Sequence, residues 1–155
     1  MTERYETFTV LVNRISRSIR RIKNREMAQE GLRSAHVSCL HYLYLNGALT
    51  ATELCERCEE DKATVSRALE HLEREGYICC ESRAAKRYRS PLLLTDKGRA
   101  AGEKIAGKIA QVLDAVSAGL SDAEREAFYR SLAIISDSLE RISGQPLDEQ
   151  LKGEA

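Results

Sequence analysis

The sequence predicts a mainly α-helical chain interrupted by one small β-hairpin. Three observations carry this reading. Apolar residues recur at alternating spacings of 3 and 4 through most of the chain, the period that lines one face of a helix. Near the middle that period gives way to two short β-prone runs around a basic segment. With only two prolines and no low-complexity run, little else breaks the helical pattern.

The first helix runs from about Glu3 to Glu30. Phe8, Val12, Ile15, Ile19 and Ile22 step by 4, 3, 4 and 3, and Arg14, Arg17, Arg20, Arg21, Lys23 and Arg25 occupy the other face. Glu3, Glu6, Glu26 and Glu30 share this segment, so its arginines read as the solvated side of an amphipathic helix. Gly31 is the expected stop. Ser34 is the expected cap of a second helix that holds Val37, Leu40, Leu43 and Tyr44 and ends at Asn46-Gly47. A third, short helix opens on Thr50-Ala51-Thr52-Glu53, a capping box, with Leu54 and Cys58 inward. A fourth runs from Asp61 to Glu75 and ends at Gly76, with Val65, Ala68, Leu69 and Leu72 inward. Three short helices in tight succession are the skeleton of a helix-turn-helix unit.

The residues Tyr77–Ser82 and Pro91–Leu94 then form the two arms of a hairpin, or wing, around Arg83-Ala84-Ala85-Lys86-Arg87-Tyr88-Arg89-Ser90. Pro91 has no N–H for a ladder, so its strand belongs at an edge or begins there. Thr95 caps a long helix with Ile105, Ile109, Val112 and Val116 on one stripe, widened by Leu113 and Leu120. Ser121-Asp122-Ala123-Glu124 is a second capping box. It opens a last helix on which Phe128, Leu132, Ile135, Leu139 and Ile142 again step by 4, 3, 4 and 3. Gly144 and Pro146 stop it, and residues 144–155 are expected to form a flexible tail.

In bulk, 155 residues fit one domain, or a compact module plus a small one, and 43% hydrophobic content supports a real core. The net charge is zero, with 24 basic and 24 acidic residues, which argues against a general nucleic-acid condenser. Contact with DNA depends on where the charge sits, not on its sum. The opening MTERYETFTV has no apolar core of a signal peptide, and no run approaches a membrane span. A cytoplasmic location is expected, and the odd count of five cysteines then reads as reduced thiols.

Several segments, at these spacings and in this order, carry a resemblance. They are Leu49-Thr50-Ala51-Thr52-Glu53-Leu54, then Asp61-Lys62-Ala63-Thr64-Val65-Ser66-Arg67-Ala68-Leu69, then Leu72-Glu73-Arg74-Glu75-Gly76-Tyr77-Ile78. The basic wing and Leu94-Thr95-Asp96-Lys97-Gly98 complete the set. The chain resembles the MarR family of winged-helix regulators (multiple antibiotic resistance regulators) over roughly residues 3 to 143. The wing departs from the family pattern in one place: Ala85 stands where an Asp usually precedes the tip Arg87 by two residues. The resemblance implies a homodimer that binds a pseudopalindromic operator in double-stranded DNA, acts as a repressor, and is modulated by a small ligand held between its dimerisation and DNA-binding parts.

The residues give this expectation a physical form. A helix fits the major groove and offers base edges the side chains of its N-terminal half. On the fourth helix the inward stripe leaves Lys62, Ala63, Ser66, Arg67 and Glu70 facing away, so Lys62, Ser66 and Arg67 are the candidates for base contact, with Ala63 beside them. Arg67 suits a bidentate contact to guanine. Thr64, and Thr52 on the preceding helix, are placed for phosphate. In the wing, Lys86, Arg87 and Arg89 are set to approach the minor groove and Arg83 stands nearer the base, with no acid among residues 82 to 95. Residues 34–99 are thus read as the winged helix-turn-helix domain. Residues 3–30 and 100–143 are read as a helical dimerisation region, in which Phe8, Val12, Ile15 and Ile19 meet Phe128, Leu132, Ile135 and Leu139 across a two-fold axis. An intramolecular bundle is the competing use of these stripes.

Cys55-Glu56-Arg57-Cys58 has C-x-x-C spacing, and Cys79-Cys80 follow, with His71 near in sequence. Cys55 and Cys58 also fall where such a unit places small core residues, as does Cys39 in the second helix, and Cys79 and Cys80 point to opposite faces of a strand. Redox sensing through Cys55, Cys58, Cys79 and Cys80 therefore stays open as an alternative, as does a metal-responsive variant, though no metal or cofactor is expected. His36 and His41, five apart, do not share a helical face; either suits an effector pocket. No phosphate loop, strong metal-ligand spacing or serine elbow points to an enzyme. A winged helix used only for protein interaction leaves the basic wing unexplained.

Overall fold

The computed structural model describes residues 2–58, 60–80 and 90–144, with side chains in the first helix from Thr7 onward. The chain divides into two compact units, residues 1–110 and 111–155.

In the first unit, helix α1 spans Thr2–Glu26, so it stops short of the expected Gly31. A 3-10 turn, Ala28–Glu30, follows. The Leu32 N–H donates to the Met27 carbonyl at 3.1 Å and the Gly31 N–H to that of Ala28 at 3.0 Å. This paired closure needs a left-handed residue, and Gly31 supplies it at φ 70°. The closure also brings Met27 and Leu32 together as buried core residues. Helix α2 spans Ser34–Asn46. Ser34 is its first residue and not its cap. Arg33 precedes the helix and donates its N–H to His36 Nδ1 at 3.0 Å, and Asn24 Oδ1 accepts the Ser34 N–H at 2.7 Å.

Strand β1 (Ala48–Leu49), helix α3 (Ala51–Cys58) and helix α4 (Lys62–Arg74) come next, then strands β2 (Ile78–Cys80) and β3 (Leu92–Leu94). The three strands pair antiparallel in the order β1-β3-β2, with Leu49 opposite Leu92, Ile78 opposite Leu94 and Cys80 opposite Leu92. β1 was not anticipated. It makes β3 the central strand, which Pro91 directly precedes, outside the ladder. Both capping boxes form: the Thr50 N–H donates to Glu53 Oε2 at 2.7 Å while Thr50 Oγ1 accepts from the Glu53 N–H at 3.3 Å.

The core lies between α2, α3 and α4 and extends beneath the sheet. Leu40, Leu43, Leu54 and Leu72 are completely buried, with Val65 and Ile105 all but so. Removing any of these leucine side chains costs about 2–5 kcal/mol. Helix α5, Asp96–Ser117, begins on the turn that follows α4. Thr95 Oγ1 donates to the Gly76 carbonyl at 2.6 Å and accepts from the Gly98 N–H at 3.1 Å. Gly98 approaches so closely that a Cβ there would lie 1.9 Å from the Tyr77 carbonyl oxygen. Further along α5, Lys108 pairs with Glu26 at 2.7 Å and Lys104 with Glu30. The α1 stripe, by contrast, is open: Phe8, Val12, Ile15 and Ile19 are 38% to 52% exposed.

The second unit holds the end of α5 and helix α6, Asp122–Ser143, opened by the Ser121–Glu124 capping box. No residue of α6 is buried, and Phe128, Leu132, Ile135 and Leu139 are 38% to 51% exposed. The expected tail lies outside the described residues except for Gly144. Among the described residues no helix is long and apolar enough to cross a membrane.

Candidate nucleic-acid interface

Helix α4 is anchored on one side and open on the other. Val65, Ala68, Leu69 and Leu72 are buried, while Lys62, Ala63, Arg67 and Glu70 are exposed. Its first turn is held by Asp61, whose Oδ1 accepts the Thr64 N–H at 2.8 Å. The Thr64 hydroxyl donates to Asp61 Oδ2 at 2.5 Å and accepts from Arg67 Nη2 at 3.3 Å. A chain of polar contacts thus runs from cap to guanidinium along one face of the helix start. These bonds from Thr64, with Arg67 nearby, hold the Asp61 carboxyl below its ordinary 3.8. The arrangement leaves a charged, solvent-facing Arg67 steadied at its base, which is what bidentate recognition of a planar acceptor pair requires.

The other predicted residues fall less uniformly. Thr64 is half-buried, and its hydroxyl proton is already committed to Asp61, so contact with a phosphate would have to compete with the cap. Ser66 is half-buried and lines a hollow of about 80 Å³ with Ala51, Cys55, Lys62 and Ile78. That is well below the roughly 300 Å³ of a typical small-molecule site. Thr52 is exposed on the first turn of α3. Arg83, Lys86, Arg87 and Arg89 lie outside the described residues. What is described is the strand pair that flanks them in sequence, where Ile78 and Cys80 of β2 pair with Leu94 and Leu92 of β3.

The far end of α4 closes by a Schellman turn. The Tyr77 N–H donates to the Leu72 carbonyl at 2.8 Å, the Gly76 N–H to that of Glu73 at 3.0 Å, and Gly76 sits at φ 74°. Here His71 stacks on His36 of α2, with ring centres 4.4 Å apart and planes 11° from parallel. Arg74 Nη2 lies 2.9 Å from His71 Nδ1; an arginine only donates, so that nitrogen accepts. Burial, with His71 and Arg33 close by, pulls the His36 pKa down to about 4. His36 is therefore taken up in packing α2 against α4. His41 is half-buried, and burial and Lys23 lower its pKa as well.

The cysteines are rearranged relative to expectation. Cys39, which sequence spacing placed in the core, is fully buried, and its Sγ lies 3.9 Å from Cys58 Sγ. Cys55 and Cys80 are half-buried and Cys79 is exposed. The pair that meets is thus Cys39–Cys58, nineteen residues apart and invisible to a search for short spacings. Among the described residues, no three His, Cys, Asp or Glu side chains gather into a group able to hold a metal ion.

Comparison with known proteins agrees with this geometry. The MarR family pattern matches residues 30–87. The HTH-type transcriptional repressor YetL of Bacillus subtilis is 27% identical over 131 residues, covering 83% of this chain and 77% of its own length. The solved MarR-family regulator from Silicibacter pomeroyi is 28% identical, with a TM-score of 0.70 over 85% of this chain and 87% of that one. Bordetella bronchiseptica BpsR, whose DNA binding is regulated by 6-hydroxynicotinic acid, is 25% identical, with a TM-score of 0.73 over 84% of this chain and 99% of its own.

Proposed function

From its match to the MarR family pattern over residues 30–87 and its similarity to MarR-family regulators along most of its length, we propose that the chain represses transcription as a homodimer that sets one α4 into each of two major grooves of a pseudopalindromic operator. The observation that carries this reading is the open N-terminal half of α4, where Lys62 and Arg67 face solvent from a helix whose other side is locked into the core. Arg67 and Lys62 read bases, Ala63 and Ser66 lie beside them, and Thr52 and Thr64 meet phosphates. Arg83, Lys86, Arg87 and Arg89 of the wing enter the flanking minor groove, where narrow A·T-rich DNA concentrates negative potential.

Residues 34–99 act as the DNA-binding part, and residues 3–30 with 100–143 as the dimerisation part. In support, the stripes on α1 and α6 each leave large apolar side chains in water, which a second copy would cover. The repressor name of YetL supports repression, and the regulation of BpsR by 6-hydroxynicotinic acid supports control by a small ligand. Such a regulator works in the cytoplasm, where its DNA is.

Selection of bound fragments from random duplexes tests this proposal. The expected motif has two half-sites related by two-fold symmetry, their centres about 10 base pairs or one helical turn apart. Recovery of an unenriched pool would remove the proposal, and a single unrepeated half-site would remove its dimeric part.

A further inference from the structure

We propose that peroxide joins Cys39 and Cys58 in a reversible disulfide, and that this bond weakens the grip of α4 on DNA. The two sulfurs come from different helices, α2 and α3, and lie 3.9 Å apart without a bond. A disulfide needs about 2.05 Å, so the sulfurs must approach by roughly 2 Å, a shift within reach of side-chain rotation and a small helix movement. Their surroundings divide the labour. Cys58 is half-buried, open enough to meet a small oxidant, whereas Cys39 is completely enclosed and can react only with a neighbour already beside it.

The chemistry of the pair follows the same division. The Cys39–Cys58 hydrogen bond and nearby Lys23, against the opposing effects of burial and Glu60, hold the Cys58 thiol below its ordinary value. The same hydrogen bond, together with burial, pushes the Cys39 thiol up, so it keeps its proton. Cys55 is also pushed up, chiefly by burial and then by Cys58. Cys58 is therefore the thiol best placed to attack as a thiolate. Its sulfur takes one oxygen from hydrogen peroxide, the O–O bond breaks, and hydroxide departs, leaving a sulfenic acid on Cys58. Cys39 sulfur then attacks Cys58 sulfur and expels the sulfenic oxygen, which leaves as water with the Cys39 proton. The departed hydroxide takes up a proton as the second water. Two thiols have lost two electrons, and one peroxide has become two waters.

Cys58 is the last residue of α3, and Asp61, the cap of α4, stands three residues later. Drawing Cys58 toward α2 therefore pulls on the start of the helix that carries Lys62 and Arg67. This consequence rests on α4 being the DNA-reading helix; the bond itself does not.

The experiment treats the full-length reduced protein with hydrogen peroxide and follows two readouts, peptide mapping without reductant and affinity for a selected duplex. A Cys39–Cys58 linked peptide should appear, affinity should fall at least tenfold, and dithiothreitol should restore both. A variant with Cys55, Cys79 and Cys80 all changed to Ser should respond like the parent. Cys58→Ser should bind DNA normally when reduced and lose the response. Linkage of other cysteines, a Cys58 oxidised without linkage, or linkage with unchanged affinity would each overturn the proposal. If the reduced protein binds no duplex, the reading of α4 fails by itself, while the linked peptide still decides whether the bond forms.

Discussion

Arg67 and Arg87 are assigned different work on the same DNA, and single substitutions separate them. Arg67 is exposed in the N-terminal half of α4, the half proposed to read bases, and is braced by Thr64, so its loss should remove discrimination at one base position, worth roughly 1–3 kcal/mol. Arg87→Ala should instead weaken binding to every sequence alike and shallow its salt dependence by about one unit of slope. Competition titrations against an operator and a one-base variant distinguish the two patterns, and identical patterns would mean the assignments are wrong. His36 supports a second prediction. Its pKa is lowered in the fold to about 4 from an ordinary 6.5, so between these values the unfolded chain binds a proton that the folded chain refuses. Stability should therefore fall as pH drops from about 6.5 toward 4. Protonation would also cost Nδ1 its role as acceptor of the Arg33 N–H, in the same direction. Thermal melts of the parent and His36→Asn across this range check the sign: the variant should lose much of the slope, and an equal slope in both would assign it elsewhere. Single residues were unevenly legible in the sequence. The outward face of α4 follows from its inward stripe, but the diversion of the Thr64 hydroxyl to Asp61 and the meeting of Cys39 with Cys58 depend on distances that no spacing reveals.

Among the elements, the junction of α4, β2 and α5 is the tightest. The backbone of Gly98 lies against the Tyr77 carbonyl, and Thr95 ties the start of α5 to the Gly76 turn. Gly98→Ala has to displace backbone and should cost about 1–3 kcal/mol, lowering the melting temperature by several degrees. Gly107→Ala, where an added Cβ meets nothing within 4 Å, is the control and should be neutral or slightly stabilising because alanine favours helix. Equal effects from both would deny the close approach. Helices α3 to α6 were legible because a periodic stripe is joined to a chemical boundary: Thr50 with Glu53, Asp61, Thr95, and Ser121 with Glu124 at their starts, and Gly76 after the end of α4. Strand β1 was not, because two residues carry no alternation and Ala48 and Leu49 become a strand only by pairing with Leu93 and Leu92. The early end of α1 escaped notice for a related reason. Nothing before Gly31 breaks a helix, and the stop at Glu26 comes from the closure that buries Met27 and Leu32. Ser34 lost its expected capping role to Asn24, ten residues earlier in the chain, and to His36, whose ring takes the Arg33 N–H where a capping box ordinarily has Glu or Gln.

For the whole molecule, the open apolar stripes are the feature that one copy leaves unresolved. Leu132→Asp puts a charge into the proposed interface without replacing a buried residue of the chain, since α6 has none. The variant should elute as a smaller species while keeping its helical content, and operator affinity should fall steeply because two linked half-sites become one. An unchanged elution volume would count against the interface. The chain has no net charge, so affinity for DNA depends on where its basic groups stand, and the proposal rests it on Lys62, Arg67 and the basic residues Arg83, Lys86, Arg87 and Arg89. That is the account's central claim, and the salt dependence of binding tests it most directly. With six or more phosphates contacted by a dimer, affinity for a selected duplex should fall roughly a thousandfold between about 50 and about 200 mM salt, along a straight line in log–log form. Failure to bind duplex DNA even at about 50 mM salt, or an affinity indifferent to salt, would contradict it.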